Sequence, residues 1–123
     1  MKNILIVDDS PTIRTSVQYA IKPLGYQLVQ AENGRKALDA IEKIKASNED
    51  IVLCIVDVNM PEMDGITFIK ELRKTDKFTP VLVLTTESEE TKIKEGKDSG
   101  ASGWMIKPFK PVDLVATVEK LIR

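Results

Sequence analysis

The polar residues that end the apolar runs are the ones that could do chemistry. Asp8 and Asp9 follow the run at residues 4–7, Asp57 follows 51–56, Thr85 follows 81–84, and Lys107 follows 102–106. Brought together, three carboxylates repel: at about 4 Å and an effective dielectric near 20, each pair costs roughly 4 kcal/mol. Either some protonate or a cation is supplied. Oxygen-only ligands with room for water suit Mg²⁺ rather than zinc. A lysine aimed at an acidic site already compensated by a metal makes sense if a further anion arrives, and a threonine hydroxyl can donate to the same anion. A metal, a positive side chain, a hydroxyl donor and an oxygen nucleophile are the parts of phosphoryl transfer. Asp57 is the nucleophile of choice, because its apolar run is the middle one of the three strongest and carboxylates are established covalent acceptors.

That chemistry needs a scaffold that gathers residues far apart in the chain. The runs at 4–7, 51–56 and 81–84 are apolar without alternation, as in strands of a parallel sheet covered on both faces. Weaker candidates at 26–30 and 102–106 carry polar or small residues and fit edges. Helical patterns lie between them. Ser10 caps the first, Pro11 opens it, and Ile13, Val17, Ile21 and Leu24 repeat along one face before Pro23 and Gly25 end it. Asn33-Gly34 leads into the second, with Leu38, Ile41 and Ile44. Gly65 opens the third, with Phe68, Ile69 and Leu72. The fourth spans 88–99. Pro111 starts the fifth, with Leu114, Val115, Val118, Leu121 and Ile122 on one stripe. Strand and helix thus alternate five times, and right-handed crossovers make an open parallel sheet with helices on both faces. Order 2-1-3-4-5, a flavodoxin-like (βα)₅ arrangement, puts the three apolar strands in the centre. All the polar residues above then sit at carboxyl ends of strands, where such sheets bind ligands.

Composition narrows the chemistry further. The chain has 123 residues, 18 Lys+Arg against 19 Asp+Glu, no histidine and one cysteine. This is the size of one domain, residues 1–123, and the expectation is that no output domain is attached. Without histidine no Ser–His or Cys–His hydrolase can be built, and a single Cys54, which reads as a buried strand residue, excludes disulfide frameworks and cysteine-based zinc clusters. The balanced charge excludes a uniformly basic nucleic-acid binder and leaves only a local patch open; the expectation is no nucleic-acid partner. No signal peptide or spanning segment is visible, so the expectation is a cytoplasmic protein with no membrane insertion.

The ordered set Asp8-Asp9, then Asp57 within the stretch 54–65, then Thr85, then Lys107-Pro108-Phe109 resembles the receiver domains of two-component response regulators along the whole chain. The resemblance implies that Asp57 accepts a phosphoryl group from a partner's phosphohistidine. It implies that Asp9, Asp57 and the backbone carbonyl of Asn59 bind Mg²⁺ directly, with Asp8 helping through water, and that a cis peptide precedes Pro108 and aims Lys107 inward. Asn59, Glu87, the stretch 100–103 before Trp104 and the expected lack of an output domain look most like the stand-alone chemotaxis regulators of the CheY type. In that family the positions of Asn59 and Glu87 flank the water that hydrolyses the acyl phosphate. The implied partners are a sensor histidine kinase of chemotaxis type and a downstream target such as the flagellar motor switch, with a phosphatase to be allowed for; the expected state is a monomer. Two residues depart from the pattern. Thr86 replaces a smaller residue and crowds phosphoryl access. Trp104 stands where the family has Tyr, Phe or His, an aromatic thought to turn inward as the threonine moves.

The fourth helix is poor in apolar residues, with Ile93 the only strong one, and Gly96 inside it costs roughly 1 kcal/mol relative to Ala. It is expected to be weakly held and shiftable, so that phosphorylation biases the segment from Thr85 through the fifth helix. Lys92, Ile93 and Trp104 are the candidate partner surface there; Lys94, Lys97 and Lys120 read equally as a solvated face. A phosphorelay intermediate, passing the group to a histidine-phosphotransfer protein, keeps the same chemistry and remains the alternative. An aspartyl-phosphate phosphatase of the haloacid-dehalogenase type would want an acid where Asn59 stands. A nucleotide binder would want a glycine-rich phosphate loop, and none is present.

Overall fold

A computed structural model describes residues 1–123. Strand and helix alternate as β1 (Lys2–Val7), α1 (Pro11–Ile21), β2 (Gln27–Ala31), α2 (Gly34–Ala46), β3 (Asp50–Val56), α3 (Gly65–Arg73), β4 (Val81–Thr85), α4 (Glu90–Ser99), β5 (Gly103–Ile106) and α5 (Pro111–Ile122). All strand pairs are parallel, in the order β2-β1-β3-β4-β5. No helix is long and apolar enough to cross a membrane.

The unalternating runs are explained by cover on both faces. Leu5, Val7, Cys54, Val56, Val81 and Val83 pack with Ala37 and Ile41 of α2 and Phe68, Ile69 and Leu72 of α3. The residues between them, Ile4, Ile6, Leu53, Ile55, Leu82 and Leu84, pack with Val17 and Ile21 of α1 and Leu114 and Val118 of α5. Successive side chains of a strand point to opposite faces, so a strand sandwiched between two helical layers must be apolar at every position. Burial pushes the Cys54 thiol up to about 12, which leaves it an inert packing group.

Several boundaries differ from the sequence expectation. The second strand runs one residue later than 26–30, because Ala31 pairs with Val7 and its carbonyl accepts from the Asp8 amide at 3.1 Å. The fifth begins at Gly103; Ser102 sits outside it, accepting from the Val81 amide through its hydroxyl at 3.0 Å. The fourth helix starts at Glu90 rather than at 88, because the Glu87 carboxylate accepts from the Glu89 amide at 3.1 Å and holds that stretch as a turn. In α2, Ala37 rather than Leu38 takes the fully buried position.

The larger correction concerns Gly96. It is the buried residue of α4. A Cβ built there would lie 2.5 Å from Cζ3 and 3.2 Å from Cε3 of Trp104. The missing side chain is what lets the helix rest on the indole, so the residue that reads as a weak point in the sequence is the contact point of the helix. At its other end α4 is held by Arg73, whose Nε and Nη2 donate to the Gly100 carbonyl at 3.2 and 2.8 Å. Its N-terminus has no side-chain cap.

In an exposed helix, Gly→Ala stabilises by about 1 kcal/mol. Here Gly96→Ala is expected to reverse the sign, costing about 1–3 kcal/mol by overpacking, and to red-shift the emission of Trp104 as the ring is expelled. A urea titration followed by tryptophan fluorescence checks both; a more stable variant with unchanged emission contradicts the contact.

Candidate functional site

The acidic residues stand at the carboxyl edge of the two strands in the middle of the sheet. Asp8 follows β1 and Asp57 follows β3; Asp8 is 3% exposed and Asp57 8%. Asp9 is exposed beside them. One oxygen from each of Asp8, Asp9 and Asp57 lies within 4.8 Å of the others. The parallel pairing of Val7 with Val56 sets this spacing, because it ends both strands at the same height. The loop after β1 is fixed by short bonds. Ser10 donates its amide to Asp8 Oδ1 at 2.9 Å, and its hydroxyl accepts from the Ile13 amide at 3.3 Å to cap α1.

Lys107 arrives from the far side of the sheet. Its amide donates to the Thr85 carbonyl at 2.8 Å, extending the β4–β5 ladder by one residue. The peptide between Lys107 and Pro108 is cis. The ammonium Nζ lies 2.7 Å from Asp8 Oδ2 and 3.2 Å from Asp57 Oδ2. The other oxygen of Asp57 accepts from the Val58 amide at 2.7 Å. Thr85, fully buried, ends β4, and its hydroxyl oxygen accepts from the Glu87 amide at 3.3 Å, which leaves the hydroxyl proton to donate. The structure therefore brings Asp8, Asp9, Asp57 and Lys107 together, with Thr85 on the adjoining strand end.

The remaining sequence candidates sit further out. Asn59 is exposed on the loop between β3 and α3. The Glu87 carboxylate is turned to the Glu89 amide. Trp104 is half-buried, and its indole Nε1 donates to the Glu87 carbonyl at 3.0 Å. Thr86 is exposed. Lys92 pairs with Glu95 of its own helix at 3.6 Å, and Ile93 is half-buried. Sequence reasoning missed Arg14, whose Nη1 donates to the Asp8 carbonyl and whose Nε donates to Gln30 at 3.0 Å. A cation in the first turn of a helix opposes the macrodipole, and that mismatch was the available signal.

Electrostatics separates the two buried partners. Burial raises the Asp8 carboxyl above its ordinary value, with a further push from Asp57, and the bonds from Lys107 and Ser10 only partly offset it. For Lys107, burial acts to lower the ammonium, but the bond to Asp8 and the charges of Asp57 and Asp8 prevail and raise it. Both shifts run upward but have opposite effects on charge: burial makes the Asp8 carboxyl hold its proton more readily, while the neighbouring carboxylates make Lys107 keep its own. Three ionised carboxylates against one ammonium leave two negative charges (3 − 1) at a cluster with an exposed face. Hard oxygen donors, surplus negative charge and access to water fit Mg²⁺.

The model of the response regulator receiver domain matches residues 4–119. The alkaline phosphatase synthesis transcriptional regulatory protein PhoP of Bacillus subtilis is 38% identical over 122 residues, 99% of this chain and 49% of that protein. The chain spans about half the length of the curated relatives it matches. Among solved structures, chemotaxis protein CheY4 of Vibrio cholerae superposes with a TM-score of 0.86 at 42% identity, covering 98% of both chains. The signal receiver domain of a signal transduction histidine kinase from Syntrophus aciditrophicus gives 0.84 at 34% identity, over 98% of this chain and 89% of that one.

The raised Asp8 carboxyl fixes the sign of a pH dependence. A carboxyl raised on folding adds stability below its unfolded pKa, near 3.8, and loses it as pH rises through the folded value. In metal-free buffer, Asp8→Asn should therefore gain on the wild type progressively from the ordinary carboxylate range towards neutrality. Lys107 stays protonated throughout this window and adds no slope. Urea midpoints across pH check the trend, and saturating Mg²⁺ should reverse it; parallel curves without metal would contradict the charge account.

Proposed function

The chain belongs to the response regulator receiver domains, and from that membership we propose that a sensor histidine kinase switches it by transferring a phosphoryl group to Asp57 beside a bound Mg²⁺. A phosphoacceptor signalling module rather than a turnover enzyme is what such a domain is. The observation that carries the proposal is the placing of Asp57: buried just past the end of the central strand, one oxygen held by the Val58 amide and the other facing Lys107.

In this reading the Asp57 oxygen nearer Lys107 attacks phosphorus. The new P–O bond forms as the P–N bond to the donor imidazole breaks, and the imidazole takes its proton from solvent. Lys107 turns from the carboxylates to a phosphoryl oxygen, and Thr85 donates its free hydroxyl proton to another. Asp9, Asp57 and the Asn59 carbonyl would hold Mg²⁺ directly, with Asp8 helping through water. Bound there, Mg²⁺ supplies positive charge against the phosphoryl oxygens. Asn59 and Glu87 flank the hydrolytic water; Glu87 first has to release the Glu89 amide.

The signal leaves through Thr85. Its hydroxyl binds the Glu87 amide, the Glu87 carbonyl binds the Trp104 indole, and the indole lies under Gly96 of α4. A Thr85 hydroxyl drawn to the phosphoryl group gives up the first of these bonds and frees the loop before α4. The face bearing Lys92, Ile93 and Trp104 is then the surface a downstream protein reads. Similarity to CheY4 at 42% identity favours a chemotaxis role with the flagellar motor switch as target. Similarity to a receiver within a histidine kinase supports a second reading, a phosphorelay intermediate. Both readings place the protein in the cytoplasm.

Incubation with a small acyl-phosphate donor and Mg²⁺ should add one phosphoryl group to the wild type and none to Asp57→Asn; equal labelling of the variant would refute the assignment. The labelled protein is then offered a flagellar-switch peptide and a histidine-phosphotransfer domain. Binding without transfer supports chemotaxis, and rapid onward transfer supports the relay.

A further inference from the structure

The loop from Asn59 to Asp64 is pinned at more places than its two ends. At its base the Gly65 amide donates to the Val58 carbonyl at 2.9 Å, and Asp64 caps α3 by accepting from the Thr67 amide at 2.7 Å. Within it, the Met63 amide folds back to the Pro61 carbonyl at 2.7 Å, and Glu62 takes a left-handed backbone with φ 65°. L residues with side chains rarely adopt that conformation, so something must hold it.

What holds it comes from a different element. The Gly34 amide, at the start of α2, donates to the Met63 carbonyl at 3.1 Å. Asn33, 4% exposed, uses both ends of its amide. Its oxygen accepts from the Lys36 amide at 2.9 Å to cap α2, which leaves Nδ2 to donate to Glu62 Oε2 at 3.4 Å. The approach is close. A Cβ on residue 34 would lie 2.8 Å from Met63 Cγ and 2.9 Å from the Met63 carbonyl oxygen. The methionine side chain can move aside, but the carbonyl belongs to the loop itself.

We propose that Asn33 and Gly34 are positioning residues for the metal-binding loop: by holding Glu62 and Met63 they set where the Asn59 carbonyl stands relative to Asp57. This rests on the Mg²⁺ reading of the site above. Neither residue touches the acidic cluster, and both act through the loop. The start of α2 is thereby part of the site's supporting structure, although α2 supplies no ligand.

The test is a Mg²⁺ titration without phosphodonor, read by the rise in thermal midpoint and by the chemical shift of the Val58 amide. Gly34→Ala should need roughly tenfold more Mg²⁺ for half-saturation, the scale on which groups behind metal ligands act. Asn33→Ser keeps the helix cap and loses the bond to Glu62, and should shift the titration in the same direction by less. Asp57 labelling by a small acyl phosphate should return towards the wild-type rate at saturating Mg²⁺ in both variants, since the nucleophile and Lys107 are untouched. A folded Gly34→Ala protein with lower metal-free stability but unchanged half-saturation overturns the proposal. If that variant fails to fold, unchanged half-saturation in Asn33→Ser overturns it. A wild type that does not respond to Mg²⁺ sinks the metal reading itself, and this inference with it.

Discussion

Mutual repulsion among Asp8, Asp9 and Asp57 is the constraint around which the molecule is arranged. Two of these groups are almost fully buried, and the cation that reaches them, Lys107, is shared. For Asp8 the strain shows as a raised carboxyl, pushed up first by burial and then by the neighbouring charge of Asp57. A chain free to relax would separate them. The sheet prevents it, because Val7 and Val56 are neighbours in a ladder whose side chains are buried on both faces. The apolar layers thus do electrostatic work, keeping like charges within a few ångströms of one another.

The same arrangement explains why the site is assembled from strand ends. Loops alone could not resist the repulsion, but loops a residue or two long, leaving rigid strands, can. Where the path is longer, as from Asn59 to Asp64, extra bonds appear, and they come from α2. Where the path leads to the signalling side, through Glu87, the bonds are few and made mostly by backbone atoms to a threonine hydroxyl and an indole. Stiffness is concentrated under the carboxylates and falls away towards α4, a gradient suited to a switch whose trigger must be fixed and whose output must move.

Much of this was legible in the sequence. Unbroken apolar runs such as 51–56 announce double-sided burial, and the polar residues that end them announce the site, because both signals depend only on neighbours along the chain. Ser10-Pro11 and Asn33-Gly34 mark helix starts for the same local reason. What escaped depends on pairs distant in sequence. Gly96 reads as a helix-weakening residue until Trp104 is placed beneath it. That the Glu89 amide would hold the Glu87 carboxylate is likewise invisible from the sequence pattern. The shift of β2 to Gln27–Ala31 follows from pairing with β1, and Tyr26 gives no hint of it. Arg14 looks like a surface charge unless the helix dipole is weighed against it.

The grip of Arg73 on Gly100 has a mechanical meaning. A helix tied at its C-terminal end and without a side-chain cap at its N-terminus can act as a lever, with Gly100 as its fulcrum. The ten residues of α4 make an arm of about 15 Å. A displacement of about 2 Å at Glu90 would swing that arm by only about 8° by the same helix geometry, yet Lys92, near the moving tip, would travel far more than Ser99 near the pivot. The surface offered by α4 would therefore change as a graded tilt, greatest beside the phosphoryl site and vanishing towards β5.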